Sequence, residues 1–152
     1  MLTDQMRQII RNFNAASVAT VNDDGTPAVS PKATFVIIDD TSTAFGNIRS
    51  PNTEKNIRTR PAVELNFVDV LARRAVRVKG EASIVEKDSE SGQALMPMFE
   101  ELWAPYIDKM RNFIRVDVSR AQLVTSPAYD IGLGEQELVD ANFEKIKGIA
   151  TR

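Results

Sequence analysis

The chain has 152 residues, 43% hydrophobic and 26% charged, with a net charge of −2 and neither Cys nor His; this suits a single domain over 1–152 that buries roughly 70% of its unfolded surface. Without Cys and His there are no disulfides, thiolate nucleophiles, imidazole bases or ordinary zinc, copper or haem sites, so no metal is expected and any reaction must rest on carboxylates, Lys, Arg, Tyr or a bound cofactor. The near-neutral charge argues against nucleic acid, no apolar run reaches the roughly 20 residues of a membrane span, and MLTDQMRQII lacks the order of a signal peptide, so a cytoplasmic protein with no membrane partner is expected.

Met6, Ile9, Ile10 and Phe13 recur at helical spacing behind Thr3-Asp4, which predicts an amphipathic first helix with a cap at its start. AASVATVN, the turn Asp23-Asp24-Gly25-Thr26 and PAVSPKATFVIID read as strand, turn and strand, with Gly25 where positive φ is cheap. Pro27 and Pro31 lack an N–H and put the start of the second strand at an edge or bulge. A turn through Asp39-Asp40-Thr41-Ser42 leads to TAFGNI, the third strand of an expected meander. Both Asp pairs read as turn residues rather than paired catalytic carboxylates.

NTEKNIRTR predicts a short helix that ends by Arg60, because Pro61 follows. PAVELNFV then alternates, with Val63, Leu65 and Phe67 on one face. ARRAVRVKGEASIVE does the same, placing Val76, Val78, Gly80, Ala82 and Ile84 opposite Arg77, Lys79, Glu81 and Ser83. Gly80 marks a bulge or a close backbone approach. From Asp88 to about Met110 the period is helical, with Leu95, Met98, Phe99, Leu102 and Tyr106 sharing a face and Pro97 and Pro105 dividing the helix. NFIRVDVSRAQLVTS supplies one or two strands, and GEQELVDANFEKIKGIA a last helix with Leu138, Phe143 and Ile146 near one face. About six strands joined mostly by turns predict a mainly β fold, a small antiparallel barrel with helices at its ends.

The segment richest in binding groups is FGNIRSPNTEKNI. Arg49 offers a forked cation, Ser50 and Thr53 hydroxyls, the next helix its free N–H groups, and Lys55 and Asn56 a second charge and a further donor; these are the parts of an anion site. The same residues suit a plain turn in which Ser50 or Asn52 caps the helix, Pro51 begins it and Arg49 is solvated. In PKATF, Lys32 and Thr34 could present polar groups at a barrel mouth, or Lys32 could simply face solvent. ARRAVRV places two arginines at a strand start, beside an anionic ligand or in an exposed turn. Trp103 and Tyr106 read as core.

In their order, ASVATVNDDGTPAVSP, TFVIID, FGNIRSPNTEKNIRTRPAVELNFV and RRAVRVKGEA, from about Ala15 to Ala82, with SPAYDIG in the tail, resemble the pyridoxamine 5′-phosphate oxidase-related family of FMN-binding split barrels. The resemblance implies a homodimer of six-stranded antiparallel split β-barrels, each holding FMN in a cleft at the subunit interface. It implies that Lys32, Ala33, Thr34 and Phe35 run along the flavin ring and ribityl chain. Asn47, Ile48, Arg49, Ser50 and Thr53 would hold the ribityl and phosphate, and Arg74 would lie close to the cofactor. Where the family's oxidases carry an Arg-Lys pair, this chain has Asn52 and Thr53, so the phosphate charge falls to Arg49 or Lys55. Without His, the motif that holds the vitamin substrate is also missing.

The expected function is therefore an FMN-dependent oxidoreductase working with a small-molecule electron donor or acceptor, and not a pyridoxamine-phosphate oxidase. No side chain is assigned as catalytic. The alternatives are a non-catalytic flavin-binding or carrier protein and a related barrel that uses deazaflavin F420; haem would want a ligand that His cannot provide here.

Overall fold

The structure, a computed structural model, describes residues 1–151. Helix α1 (Asp4–Asn12) starts where expected: the Thr3 side chain accepts the Met6 N–H, and the helix buries Met6, Ile9 and Ile10. Strands β1 (Ala16–Val21) and β2 (Pro27–Lys32) form an antiparallel hairpin. In its turn Gly25 takes φ 82° and Asp24 Oδ1 accepts from the Thr26 N–H at 3.0 Å and the Thr26 hydroxyl at 2.6 Å, which is why a short acidic side chain is needed there. Asp39 Oδ1 does the same for Thr41 and Ser42 between β3 (Phe35–Ile37) and β4 (Ser42–Asn47).

Next come α2 (Pro51–Thr59), β5 (Ala62–Asp69), β6 (Arg74–Glu86) and α3 (Glu90–Trp103). A 3₁₀ turn (Ala104–Lys109), β7 (Asn112–Thr125), a second 3₁₀ turn (Pro127–Tyr129) and α4 (Glu135–Ala150) complete the chain.

The sheet is antiparallel throughout, in the order β2-β1-β5-β6-β7-β4-β3. It has seven strands rather than six, because PAVSPKATFVIID divides at Ala33-Thr34. The first half pairs with β1 up to Lys32, opposite Ala16, and the second pairs with β4 from Phe35, opposite Phe45. These halves occupy the two ends of the strand order, yet only two residues join them, a reach of at most about 11 Å. The sheet must therefore curl until its edges nearly meet, which makes a split barrel whose seam is Ala33-Thr34.

The first three expected strands keep their antiparallel neighbour pairing, but the middle one is divided, its first half on β1 and its second half on β4. At the seam the Thr34 hydroxyl donates to the Gly46 carbonyl at 3.0 Å, and the Gly46 N–H lies 3.2 Å from the Thr34 carbonyl oxygen, so the chain is captured by β4 as soon as it leaves β1.

Two apolar cores follow from the alternation. The barrel interior holds Val18, Phe45, Leu65, Phe67, Val76 and Ile114, closed at one end by α1. A second core lies outside the barrel under α3, where Phe99 and Phe113 stack at 4.1 Å and Val36, Val85, Leu95 and Met110 pack round them. The stripe of α3 that reaches the barrel is Leu95, Phe99 and Trp103, so Leu102 and Tyr106 are exposed rather than sharing that face. Pro97 stays inside α3, and only Pro105 coincides with the change to 3₁₀ geometry. On α4, Leu138 is buried with Asn142, while Phe143 and Ile146 are exposed, contrary to a single buried stripe.

The Gly80 expectation is met. A bulge lets Ser119 bow out between Lys79–Arg120 and Gly80–Val118, and a Cβ at Gly80 would lie 2.1 Å from the Asp117 carbonyl oxygen. Among the described residues no helix is long and apolar enough to cross a membrane, and no group of acidic side chains is arranged to hold a metal.

Candidate functional site

At the barrel seam the chain leaves a cavity of about 340 Å³. One wall is the end of β2 and the link, Lys32, Ala33 and Thr34; the opposite wall is Gly46, Ile48, Arg49 and Ser50 at the end of β4; Trp103 and Tyr106 stand across one side. Six residues singled out from the sequence thus meet here: Lys32, Ala33, Thr34, Ile48, Arg49 and Ser50.

Ser50 holds the N-cap position of α2 and is buried, yet its side chain makes no capping hydrogen bond. A buried hydroxyl that declines the helix N–H groups leaves both itself and those donors for something else. Pro51, at the first turn, has no N–H to offer, which concentrates the free donors on the residues after it.

Lys32 enters from the other wall. Its Nζ donates to Ser30 Oγ at 2.7 Å, and Ser30 Oγ lies 3.2 Å from Thr53 Oγ1, so a hydroxyl chain ties the ammonium to the first turn of α2. Burial lowers the Lys32 pKa from its ordinary value, the sign of a cation short of solvent and of a negative partner. Arg49 is exposed at the rim. Hydroxyls, helix donors and two cations around one cavity are the groups an anion site needs.

The remaining predicted residues lie elsewhere. Thr53 is buried behind the wall and reaches the site through Ser30. Lys55 pairs with Asp23 at 2.5 Å, on a carboxylate that Arg60 also engages; the hydrogen bond from Lys55, then that from Arg60, holds the Asp23 carboxyl below its usual range. Lys55 therefore fastens α2 to the β1–β2 turn and does not line the cavity. Asn47 is buried, its Nδ2 donating to Glu54 at 2.8 Å and to Asn112 at 2.9 Å, so it positions α2 against β4 and β7. Phe35 is in the barrel core, edge-on to Phe67 at 4.8 Å; its carbonyl oxygen accepts the Trp103 indole N–H at 3.0 Å.

Arg74 does not meet the cavity within the chain. It sits on the third strand from β2, 2.6 Å from Glu135 and 5.2 Å from the Tyr129 ring, with its buried Nε unpaired.

Sequence reasoning missed Trp103 and Tyr106 as site residues, because helical spacing made them look like core. The only signal was their position astride Ala104-Pro105, where the helix has to leave the barrel. A larger and more open cleft of about 690 Å³ surrounds the Gly80 bulge, but its charged lining is Lys79 with Glu64, Glu81 and Asp117. Three carboxylates against one ammonium disfavour an anion, and none of the predicted residues is there.

The sequence profile of the pyridoxamine 5′-phosphate oxidase family matches residues 2–125. No curated protein sequence matches the chain. Among solved structures, HupZ from Group A Streptococcus is 25% identical with a TM-score of 0.71, covering 83% of this chain and 96% of that one. HutZ, the heme storage protein from Vibrio cholerae, is 21% identical with a TM-score of 0.61, covering 82% of this chain and 94% of its own. An FMN-binding protein from Syntrophomonas wolfei is 13% identical with a TM-score of 0.64, covering 78% and 82%. At their identities the last two show a shared fold alone.

Proposed function

The chain belongs to the pyridoxamine 5′-phosphate oxidase family, and on that premise we propose that it is an FMN-binding flavoprotein acting as an oxidoreductase, with the flavin at a homodimer interface. The observation that carries the reading is the unused hydroxyl of Ser50 at the start of α2, beside Arg49 on one wall of the cavity and with Lys32 on the other. A phosphomonoester fits that donor set: Ser50 and the α2 N–H groups supply hydrogen bonds, Arg49 a fork, and Lys32 a charge that burial alone disfavours. A bound FMN would supply hydride or electron transfer, which needs no nucleophile from a chain without Cys or His. The protein's part is to hold, orient and desolvate.

A homodimer suits an open cavity, and Arg74, which does not line the cavity of its own chain, would be left for a flavin held by another copy. Haem, which the heme storage protein HutZ brings to mind, would find no His or Cys here and only the Tyr106 oxygen at the cavity. F420 would ask for further cations for its acidic tail, and the cavity offers only Lys32 and Arg49.

The test is direct. FMN at about 100 times its Kd should stabilise the protein by about 2.7 kcal/mol, while riboflavin does so far less. Equal stabilisation by both, or by neither, refutes the phosphate cradle. If FMN binds, anaerobic bleaching by NADH or NADPH distinguishes an oxidoreductase from a carrier, for which the flavin stays oxidised with every donor tried.

A further inference from the structure

Helix α4 lies beyond the residues that match the family. Among the described residues only its first half is held to the body, through buried Leu138, the Asn142 side chain donating to the Leu71 carbonyl at 2.9 Å, and Glu135 paired with Arg74. Its second half carries large apolar residues in solvent: Phe143 is 54% exposed and Ile146 40%. With Val139 and Ala150 these recur at i, i+4, i+7 and i+11, a stripe turned about a quarter-turn away from the Leu138–Asn142 face. Ile149, 47% exposed, lies about a quarter-turn off the stripe on the Leu138–Asn142 side, away from Asp140 and Lys147; a continuous stripe of this kind on an exposed helix is the seam of a helix pair that lacks its second member.

The charges beside the stripe say what the second member is. Asp140 and Lys147 stand seven residues apart on one flank of the stripe, the acidic member nearer the N-terminus and the basic one nearer the C-terminus. In an antiparallel pair the same flanks meet, so a second α4 laid across the first about a two-fold axis at Phe143 brings Asp140 beside the partner's Lys147, twice. The same operation sets Val139 against the partner's Ile146 and Phe143 against the partner's Phe143, and opposes the two helix dipoles. The existing partners of these charges are weak competitors: Lys147 is 3.9 Å from Glu144, both exposed, and Asp140 accepts, among the described residues, from Gln136 at 2.8 Å.

We infer that α4 is a self-association element: two copies of the chain pair through their C-terminal helices, antiparallel, with the apolar stripe as the seam and Asp140–Lys147 as the charge code. A pair of four-turn helices is smaller than the roughly 1,200–2,000 Å² of a stable interface, so the contact is weak alone and adds to any other surface between copies.

The chain has no Cys, which makes single-cysteine cross-linking clean. Under mild oxidation of the full chain, Phe143→Cys should form an intermolecular disulfide at least about tenfold faster than Glu144→Cys, which lies off the stripe. In the Phe143→Cys background, Asp140→Lys or Lys147→Asp alone should slow the linkage several-fold, and the double reversal should restore it. Equal rates for the two cysteine variants, or charge reversals that slow linkage without mutual rescue, overturn the inference. So does a Phe143→Cys protein that sediments as a dimer yet never links, which would put α4 on another surface of the second copy. None of these readouts depends on flavin.

Discussion

Ser50 stands at the N-cap of α2 without bonding any N–H of that helix, and this separates its structural from its binding role. Replacing a capping Ser by Ala ordinarily costs about 1 kcal/mol of stability. Ser50→Ala should cost the ligand-free protein well under that, while weakening FMN by about 10- to 100-fold, as a hydrogen bond to a charged phosphate requires; equal urea midpoints with unequal FMN titrations would be the signature. Lys32 is expected to act in the opposite sense on stability. Burial depresses its folded pKa below the unfolded value, so the unfolded chain binds more protons and stability rises with pH through that window. Lys32→Met should flatten this rise and stabilise the ligand-free protein at neutral pH. The same variant should lose about 10- to 100-fold in FMN affinity, because a charge-assisted bond is worth about 1.5–3 kcal/mol.

Among elements, the strands and their faces were legible because alternation and turn chemistry are local: Asp24, Gly25 and Asp39 define their hairpins whatever the rest of the chain does. Gly80 was legible for the same reason, and Gly80→Ala should cost about 1–3 kcal/mol, since the Asp117 carbonyl, not a pliant side chain, occupies the space of the new Cβ. The site's walls were readable only in part. Arg49 and Ser50 sit in a loop whose composition suits an anion site as well as a plain turn, and the partner of Lys55 is fixed by where the β1–β2 turn packs, which no local pattern encodes. Helix α2 is also tied to β4 by Glu54, which accepts from Asn47 and, within the helix, from Arg58. The Arg58 bond first, and Asn47 less, hold its pKa below 4.5, so its contribution is complete above that value and fades as pH falls through the folded pKa. Glu54→Gln should shallow the acid limb of the stability curve without moving the neutral plateau's dependence on pH.

At the scale of the whole molecule, closure of the sheet was the step hidden from sequence. Six apolar runs imply six strands, and only the pairing of Lys32 with β1 and Phe35 with β4 shows that one run serves both edges. That closure is what brings Lys32 to Ser50, and it leaves Arg74 outside, held by Glu135 and Tyr129. If the flavin site is shared between two copies, binding and association must be linked: FMN then favours the dimer by the same factor by which the dimer favours FMN. Diluting the protein through its dimer dissociation range should therefore lower the apparent FMN affinity, and adding FMN should shift sedimentation toward the dimer. A variant at Arg74, such as Arg74→Ala, should weaken FMN in the dimer but leave whatever affinity the monomer retains unchanged, because within one chain that guanidinium does not line the cavity. An FMN affinity independent of protein concentration would instead assign the whole site to a single chain, with Trp103 and Tyr106 as its only aromatic wall.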